Sequence, residues 1–252
     1  MRPVTTKCTS AILALAVILL TGQVMAAGST AGAATPAQTA VSLLLFDEEE
    51  SGTGSYPVRY LVNDAYLRID DGHAASDYIL LDRTSATIYS ISHEHQNVLI
   101  INRQPQAVVP ASFNLSHERV PNNDLPAISG KQPQHYRYTA NGELCYEAMV
   151  VPGLMHAAVD GLAEYERLLA GQQAAKLENT PVEFRTPCFL SRYIYAPGRH
   201  LLQGLPIQVW DTGGFRRALV NFSPDERMPQ TLFEVPLEYQ QITIGGATGS
   251  LD

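Results

Sequence analysis

The stretches VRYLVNDAYLRIDD (residues 58–71) and YILLDRTSATIYSISHEHQNVLII (residues 78–101) carry the strongest fold signal in this chain. In both, apolar and polar residues alternate over short runs separated by turn-forming residues, which is the pattern of half-buried β-strands. Asn63-Asp64 lies between two such runs, as a tight hairpin requires. The two stretches therefore predict a meander of antiparallel strands.

The strand pattern continues on both sides of this centre. Asn141-Gly142 predicts a second tight hairpin, because both residue types tolerate a positive φ. Further strands are expected at 41–46, 134–139, 144–151, 189–196, 205–210, 215–222 and 231–235.

One segment follows a helical period. Apolar residues recur there at steps of three and four, which predicts an amphipathic helix. Its charged residues Glu164, Glu166 and Arg167 are expected to face water. The predicted fold class is α+β, with a large curved antiparallel sheet, a half-barrel of about 11 strands, wrapped on this one long helix. The apolar positions are Leu154, Ala158, Leu162, Tyr165, Leu168 and Leu169.

The first 26 residues predict a signal peptide and hence a periplasmic protein. Arg2 and Lys7 give a positive start, an apolar run follows at 11–20, and small residues precede Ala27 at the spacing that a signal peptidase reads. The apolar run of about ten residues is too short for a stable membrane-spanning helix. The remaining chain is divided into a disordered lead-in at 27–40, a folded domain at 41–244 and a flexible tail at 245–252.

The charge of the chain excludes some partners. Of 17 basic and 25 acidic side chains, Arg2 and Lys7 leave with the signal peptide, so 15 basic side chains remain and the net charge is about −10. Nucleic acid and anionic membrane surfaces are poor partners for such a chain.

Two cysteines, Cys145 and Cys188, remain after cleavage. An even pair in an oxidising compartment predicts a disulfide. Closing a loop of about 40 residues contributes on the order of 3 to 4 kcal/mol by restricting the unfolded chain. A pair of reactive thiols is the alternative, although the two-residue spacing typical of redox pairs is absent.

Two further stretches close the domain, GLPIQVWDTGGFRRALVNF (204–222) and LFEVPLEYQQI (232–242). Together with the opening stretches at 58–71 and 78–101, they resemble the periplasmic lipoprotein-carrier and insertase superfamily. The resemblance covers most of residues 41–242 in order and spacing. It implies a half-barrel whose concave apolar face holds acyl chains under helical lids. A concave sheet able to hold an apolar ligand is the part of this resemblance that bears on function.

His93 and His95 are the candidate metal ligands, because alternate strand residues point to the same face. A third ligand would have to come from His73, Asp70 or His117. The alternative is a set of polar turn residues at a hairpin tip, and with it no metal and no cofactor is expected.

No catalytic residue is assigned from the sequence. Asp70-Asp71 could act as acid and base if burial separated their pKa values, whereas the polar residues that follow favour a turn. Glu48-Glu49-Glu50 is interpreted as a solvated charge run. The chain contains no Gly-x-Ser-x-Gly motif and no phosphate-binding glycine loop. Tyrosines that recur along the strands either pack on the sheet or line a ligand groove; they are Tyr60, Tyr66, Tyr78, Tyr89, Tyr136, Tyr138, Tyr193 and Tyr195.

Three functions follow from these observations. The first is a non-catalytic periplasmic binding or chaperone-like module for an apolar or acylated ligand or an envelope partner. The second is a metal-dependent periplasmic enzyme that uses His93 and His95. The third is a structural subunit of a cell-envelope complex, which recruits its neighbour by strand addition. The expected partners are a lipid, an acylated peptide or an envelope protein, without stable membrane insertion after signal cleavage.

Overall fold

The computed structural model describes residues 37–121 and 125–244. The predicted signal peptide, most of the lead-in and the tail lie outside the described residues. Twelve strands form one sheet. They are β1 (Gln38–Glu49), β2 (Tyr56–Val62), β3 (Tyr66–Asp70), β4 (Tyr78–Asp82), β5 (Thr87–Ser92), β6 (Asn97–Asn102), β7 (Leu115–Val120), β8 (Gln134–Ala140), β9 (Glu143–Val151), β10 (Leu205–Trp210), β11 (Arg216–Pro229) and β12 (Gln240–Ile244).

The strands follow the order β12-β6-β5-β4-β3-β2-β1-β11-β10-β9-β8-β7 across the sheet. Neighbouring strands are antiparallel except β12 and β6, which are parallel. Strand β1 lies between β2 and β11, so the beginning of the domain pairs with a segment near its end. It starts at Gln38, three residues inside the predicted lead-in, because Gln38 is already in register with Pro229.

The helical structure occurs in separate pieces. Helix α1 is His156–Ala175, in the interval where the apolar spacing predicts a helix, and α2 is Pro187–Leu190, which continues into a π-helical turn at Ser191–Tyr195. None of the helices in the described ranges has both the length and the hydrophobicity that a membrane crossing needs. Short 3-10 turns occur at Leu177–Asn179, Val182–Phe184, Arg199–Leu202 and Gln230–Phe233.

The predicted architecture, a half-barrel of antiparallel strands wrapped on one long helix, is wrong. The sheet is open and includes a parallel pair, α1 packs on β1, β2, β3 and β5, and α2 packs separately on β8 and β9. In β4, Leu81 belongs to the core under α1, whereas Leu80 belongs to a second core on the opposite face that also contains Phe233. Because successive strand residues point to opposite faces, both faces of this part of the sheet are buried, and one helix cannot cover them.

Two segments predicted as strands are helical turns. Residues 189–196 continue the helix that starts at α2, where Thr186 caps the first turn by accepting a hydrogen bond from the amide of Phe189 at 3.2 Å and Pro187 occupies the first helical position. A threonine cap followed by proline is a strong helix start. The segment 231–235 overlaps the 3-10 turn at Gln230–Phe233.

Both predicted hairpins are present. Asn63 lies between β2 and β3, and its side-chain oxygen accepts hydrogen bonds from the amides of Ala65 and Tyr66 at 2.9 and 2.7 Å. Asn141 and Gly142 connect β8 to β9 with φ angles of 50° and 84°, as a tight turn with two left-handed residues requires.

Cys145 and Cys188 form the predicted disulfide, with their Cα atoms 4.9 Å apart. Cys145 is buried in β9 and Cys188 lies at the start of α2, so the bond ties the α2 segment to the sheet beside the aromatic core around Tyr138.

Candidate functional site

A cleft of about 340 Å³ lies between α1, the sheet and the segment 192–200. We call it the charged cleft, because acidic and basic side chains line it together with apolar ones. The sheet, α1 and the segment 192–200 each form one wall, and the lining residues that matter here are Glu48, Val58, Tyr60, Ile69, Ile79, Tyr146, Tyr165, Glu166, Leu169, Arg192, Tyr193, Gly198, His200 and Arg217.

One wall of the charged cleft is built on a buried ion pair. Glu48 in β1 and Arg217 in β11 are direct cross-strand partners, and Arg217 Nε lies 2.7 Å from Glu48 Oε1. Arg217 Nη2 also donates to the Tyr60 hydroxyl at 3.0 Å. Burial alone would lower the pKa of Arg217, but Tyr60, Glu48 and Glu166 raise it above its ordinary value. Burial raises the pKa of Tyr60, although Arg217 opposes this shift. Arg217 therefore stays charged and Tyr60 neutral.

The second arginine of the cleft has its own acidic partner. Arg192 Nη1 lies 2.6 Å from Asp211 Oδ2. The other carboxylate oxygen of Asp211 accepts hydrogen bonds from the amides of Gly213 and Phe215 at 2.8 and 3.0 Å. The Arg192 guanidinium also lies 4.5 Å from the centre of the Phe215 ring, within cation–π range. Residues of the protein itself therefore fix the position of Arg192 and neutralise its charge.

Glu50 and Glu166 line the cleft without such a partner; Glu50 is exposed and accepts a hydrogen bond from the Tyr56 hydroxyl at 3.3 Å, whereas Glu166 lies on α1. Within the described residues Glu166 makes neither an ion pair nor a hydrogen bond. Burial raises the pKa of Glu166 above its ordinary value with a smaller contribution from Glu48, although Arg217 and Arg192 oppose this shift. Its side-chain stem lies beside Gly198, where a Cβ atom would be 3.5 Å from Glu166 Cβ and where φ is +60°. The stem of Glu166 therefore lies close to the backbone of the segment 192–200, and its side chain lines the cleft.

His200 contributes a neutral imidazole to the cleft. Burial lowers the pKa of His200 to about 3, and the positive charges of Arg217 and Arg192 contribute to the same shift. Its ring meets the Tyr146 ring edge to face at 5.7 Å, and its Nδ1 atom is buried without a hydrogen-bond partner among the described residues. His200 is therefore uncharged near neutral pH.

The charged cleft opens onto a shallower apolar groove of about 720 Å³, with which it shares Val58, Ile69 and Ile79. A row of directly paired residues crosses β3, β4, β5, β6 and β12, and direct partners in neighbouring strands point to the same face of a sheet. This row lines the space that we call the apolar groove; the row consists of Ile69, Ile79, Ser90, Leu99 and Ile242.

The cleft and groove together can hold an amphipathic molecule. At about 4.8 Å between strands, the four spacings from β3 to β12 give the groove a length of about 19 Å, comparable to an extended long acyl chain. The cleft at its end offers phenols, a neutral imidazole and two acidic side chains without an ion pair, Glu166 and the exposed Glu50. Both arginines that line it are paired, so neither guanidinium is free for an anion.

The structure separates Asp70 and Asp71, the predicted acid–base pair. The carboxylate of Asp70 is fully buried and binds Arg59 at 2.8 Å and Arg68 at 2.5 Å. Asp71 is exposed and accepts hydrogen bonds from the His73 amide and the Ser76 hydroxyl in the turn that follows. Neither carboxylate belongs to the charged cleft.

The histidines considered as metal ligands have different surroundings. His93 is in the turn between β5 and β6, and its Nδ1 atom is 2.8 Å from the Tyr239 hydroxyl. His95 is exposed, and His117 stacks on Tyr138 with ring centres 5.7 Å apart. Across residues 37–121 and 125–244, no group of three His, Cys, Asp or Glu side chains is arranged to hold a metal ion.

The glutamates and tyrosines divide between the cleft and the cores. Glu48 is buried in its pair with Arg217, so the interpretation of 48–50 as a solvated run is wrong for its first residue. Of the tyrosines singled out in the sequence, Tyr60 and Tyr193 line the charged cleft. Most of the others pack either in the core around Tyr138 or in the core that contains Phe233.

Glu166 is the main site residue that the sequence interpretation misplaces. The sequence predicts that it faces water with Glu164, but only Glu164 does so, bound to Arg83 at 2.7 Å. Glu166 follows Leu162 by four residues and precedes Leu169 by three, the spacings that put side chains on one helix face. The helical spacing could therefore have predicted that Glu166 lies on the same face of α1 as Leu162 and Leu169. The sequence contains no comparable signal for Arg192 and Arg217, because their acidic partners are distant in sequence.

Comparisons with known proteins return only distant structural likenesses. No family model and no curated protein matches the chain. PNGF-II in two crystal forms has TM-scores of 0.38 and 0.36 at 8% identity, over 82% of this chain and 31% and 32% of that one. An uncharacterized conserved protein from Thermus thermophilus has a TM-score of 0.40 at 9% identity, over 81% of this chain and 90% of that one. This chain spans about a third of the length of PNGF-II, and no functional argument follows from likenesses this distant.

Proposed function

We propose that this protein is a non-catalytic binding domain of the bacterial periplasm that holds an amphipathic, acylated ligand. The observation that carries the proposal is the continuity of the apolar groove with the charged cleft. In this arrangement the acyl chain lies along the row from Ile69 to Ile242, and the polar head group enters the cleft beneath α1.

The compartment is part of the same proposal. The predicted signal peptide at 1–26 and the disulfide between Cys145 and Cys188 support an exported protein, because disulfides persist in oxidising compartments. Possible partners of the protein are a membrane lipid, an acylated peptide or an acylated envelope protein.

A binding experiment tests the groove directly. A fluorescent dodecyl probe is titrated into the mature protein and into Leu99→Lys, which places a charge at the middle of the apolar groove. Burying an apolar side chain of this size is worth about 1.5 to 3 kcal/mol, so we expect probe affinity to fall by about tenfold or more. Native mass spectrometry of protein purified from periplasm should show a bound acylated species.

The matched control is Leu237→Lys, at a leucine that is 90% exposed and outside the groove; it should bind the probe like the wild type. Ile242→Lys, at an isoleucine that is 40% exposed, repeats the test at the edge strand if Leu99→Lys lowers the melting temperature. Absence of probe binding by the wild type, or equal binding by all variants, contradicts the proposal.

A further inference from the structure

We infer that the head group of the ligand is a cationic ammonium group, held by Glu166 inside the charged cleft. This inference rests on the proposed function, because it assigns the chemistry of the head group at the end of the apolar groove.

The charge balance of the cleft points to a cation. Glu48 neutralises Arg217 at 2.7 Å, and Asp211 neutralises Arg192 at 2.6 Å. His200 carries no charge, so Glu166 and the exposed Glu50 are the lining acidic side chains that these pairs leave uncompensated. A positively charged ligand compensates this excess of acidic groups and favours the ionised form of Glu166 against the burial that raises its pKa, whereas an anion would add to the negative charge.

The lining of the cleft suits an ammonium group as well. Glu166 shares the cleft with several tyrosines, of which Tyr165 is its neighbour on α1 and Tyr146 and Tyr193 belong to other walls. Aromatic faces attract ammonium groups, and more strongly where water is excluded. A carboxylate with several tyrosine rings therefore offers a cation both a counter-charge and favourable ring faces.

The position of Glu166 connects head group and chain. Its stem lies beside Gly198, and Leu169, one turn later on α1, lines the cleft with Ile69 and Ile79. Ile69 and Ile79 are also the first residues of the apolar groove. A single molecule can thus place its ammonium at Glu166 and its alkyl chain along the groove.

The test uses three alkyl ligands that differ only in the head group. Dodecylamine, dodecanol and dodecanoate compete with the fluorescent dodecyl probe on the mature protein, each below its critical micelle concentration. We expect dodecylamine to bind about tenfold or more tightly than dodecanol, as a charge-assisted pair in a cleft allows, and dodecanoate to bind most weakly. Glu166→Gln should remove the preference for dodecylamine and leave the affinity for dodecanol unchanged.

The matched control is Glu164→Gln, which removes the same charge from α1 at a residue bound to Arg83. This variant should keep the preference for dodecylamine, and so should Glu166→Asp in weakened form. Equal binding of all three ligands, tightest binding of dodecanoate, or equal loss of preference in Glu164→Gln and Glu166→Gln overturns the inference but leaves the proposed function standing. If no dodecyl ligand binds, the proposed function fails as well.

Discussion

Asp70 is the centre of a buried cluster of charged side chains beside the apolar groove. Its carboxylate has no exposed surface and binds Arg59 and Arg68, and Arg68 also donates to the carbonyl of Leu232 at 2.6 Å. Arg68 in turn lies 3.7 Å from the centre of the Tyr78 ring. Asp70 therefore holds together two strands and the segment that covers the second face of the sheet.

Replacing Asp70 by asparagine should destabilise the protein strongly. Removing one partner of a buried ion pair leaves an uncompensated charge, which costs about 3 to 5 kcal/mol, and here Arg68 would remain buried. Urea unfolding measures the loss. Asp71→Asn is the matched control at the exposed neighbour and should cost about 1 kcal/mol or less; equal losses in the two variants would contradict the prediction.

The same residue predicts a pH dependence of stability. Burial alone would raise the pKa of Asp70, but the hydrogen bonds from Arg59 and Arg68 lower it below the ordinary 3.8. Because the folded-state pKa is the lower one, the stabilisation is fully present above the unfolded pKa and is lost as the pH falls through the folded pKa. Between pH ~5 and ~2, the free energy of unfolding should therefore fall more steeply for the wild type than for Asp70→Asn. Parallel curves would show that Asp70 is not responsible.

At the scale of elements, α1 depends on two glycines for its position. A Cβ atom at Gly161 would lie 2.7 Å from Cγ1 of Val62, and one at Gly171 would lie 2.7 Å from the carbonyl oxygen of Gln104. Glycine propensity alone predicts that Gly171 weakens the far end of the helix. It instead permits close packing, and α1 continues to Ala175.

Gly171→Ala should destabilise the protein although alanine favours helices. The gain in helix propensity is about 1 kcal/mol, whereas overpacking against a backbone carbonyl costs about 1 to 3 kcal/mol. We expect a net loss in thermal unfolding experiments. Gly54→Ala, where a Cβ atom meets nothing within 4 Å, is the control and should be neutral or slightly stabilising; a more stable Gly171→Ala would contradict the packing argument.

Local signals predict several elements well. The Asn63 and Asn141-Gly142 turns follow from residue chemistry alone, and the spacing of apolar residues predicts α1. The strand prediction at 189–196 fails because its apolar residues fit either structure, and the deciding signal is the preceding Thr186-Pro187 pair. In the candidate site, Glu166 is accessible to the same helical spacing, but the pairing of Glu48 with Arg217 depends on the register between β1 and β11.

At the scale of the whole molecule, three separate hydrophobic cores stabilise the sheet, whereas the predicted fold assigns this role to one helix. The first lies between α1 and the sheet, the second lies on β8 to β10 beside the disulfide, and the third lies on the opposite face under Phe233. Sequence patterns could not reveal these separate cores, because the pattern of apolar residues in a strand does not depend on which element covers it. The parallel pairing of β12 with β6 was likewise hidden, since it joins segments that are far apart along the chain.

The disulfide should stabilise one region more than the rest. Its cysteines are 43 residues apart, and a loop of this size contributes about 3 to 4 kcal/mol. The Cys145→Ala, Cys188→Ala double variant should lose about this much stability, and its amide hydrogen exchange should rise most in residues 187–200, the wall of the charged cleft. Faster exchange spread evenly over β2 to β5 would instead show that the bond stabilises the sheet as a whole.

The central position of β1 has a consequence for when the chain can complete its fold. β1 needs β11 as its second neighbour, and β6 needs β12, so the sheet cannot be completed until almost all of the polypeptide has been synthesised. Long-range pairing of this kind slows folding. A polypeptide that stays loose until its last strands emerge is also one that can be threaded through a translocation channel, so this strand order is compatible with the export that we propose.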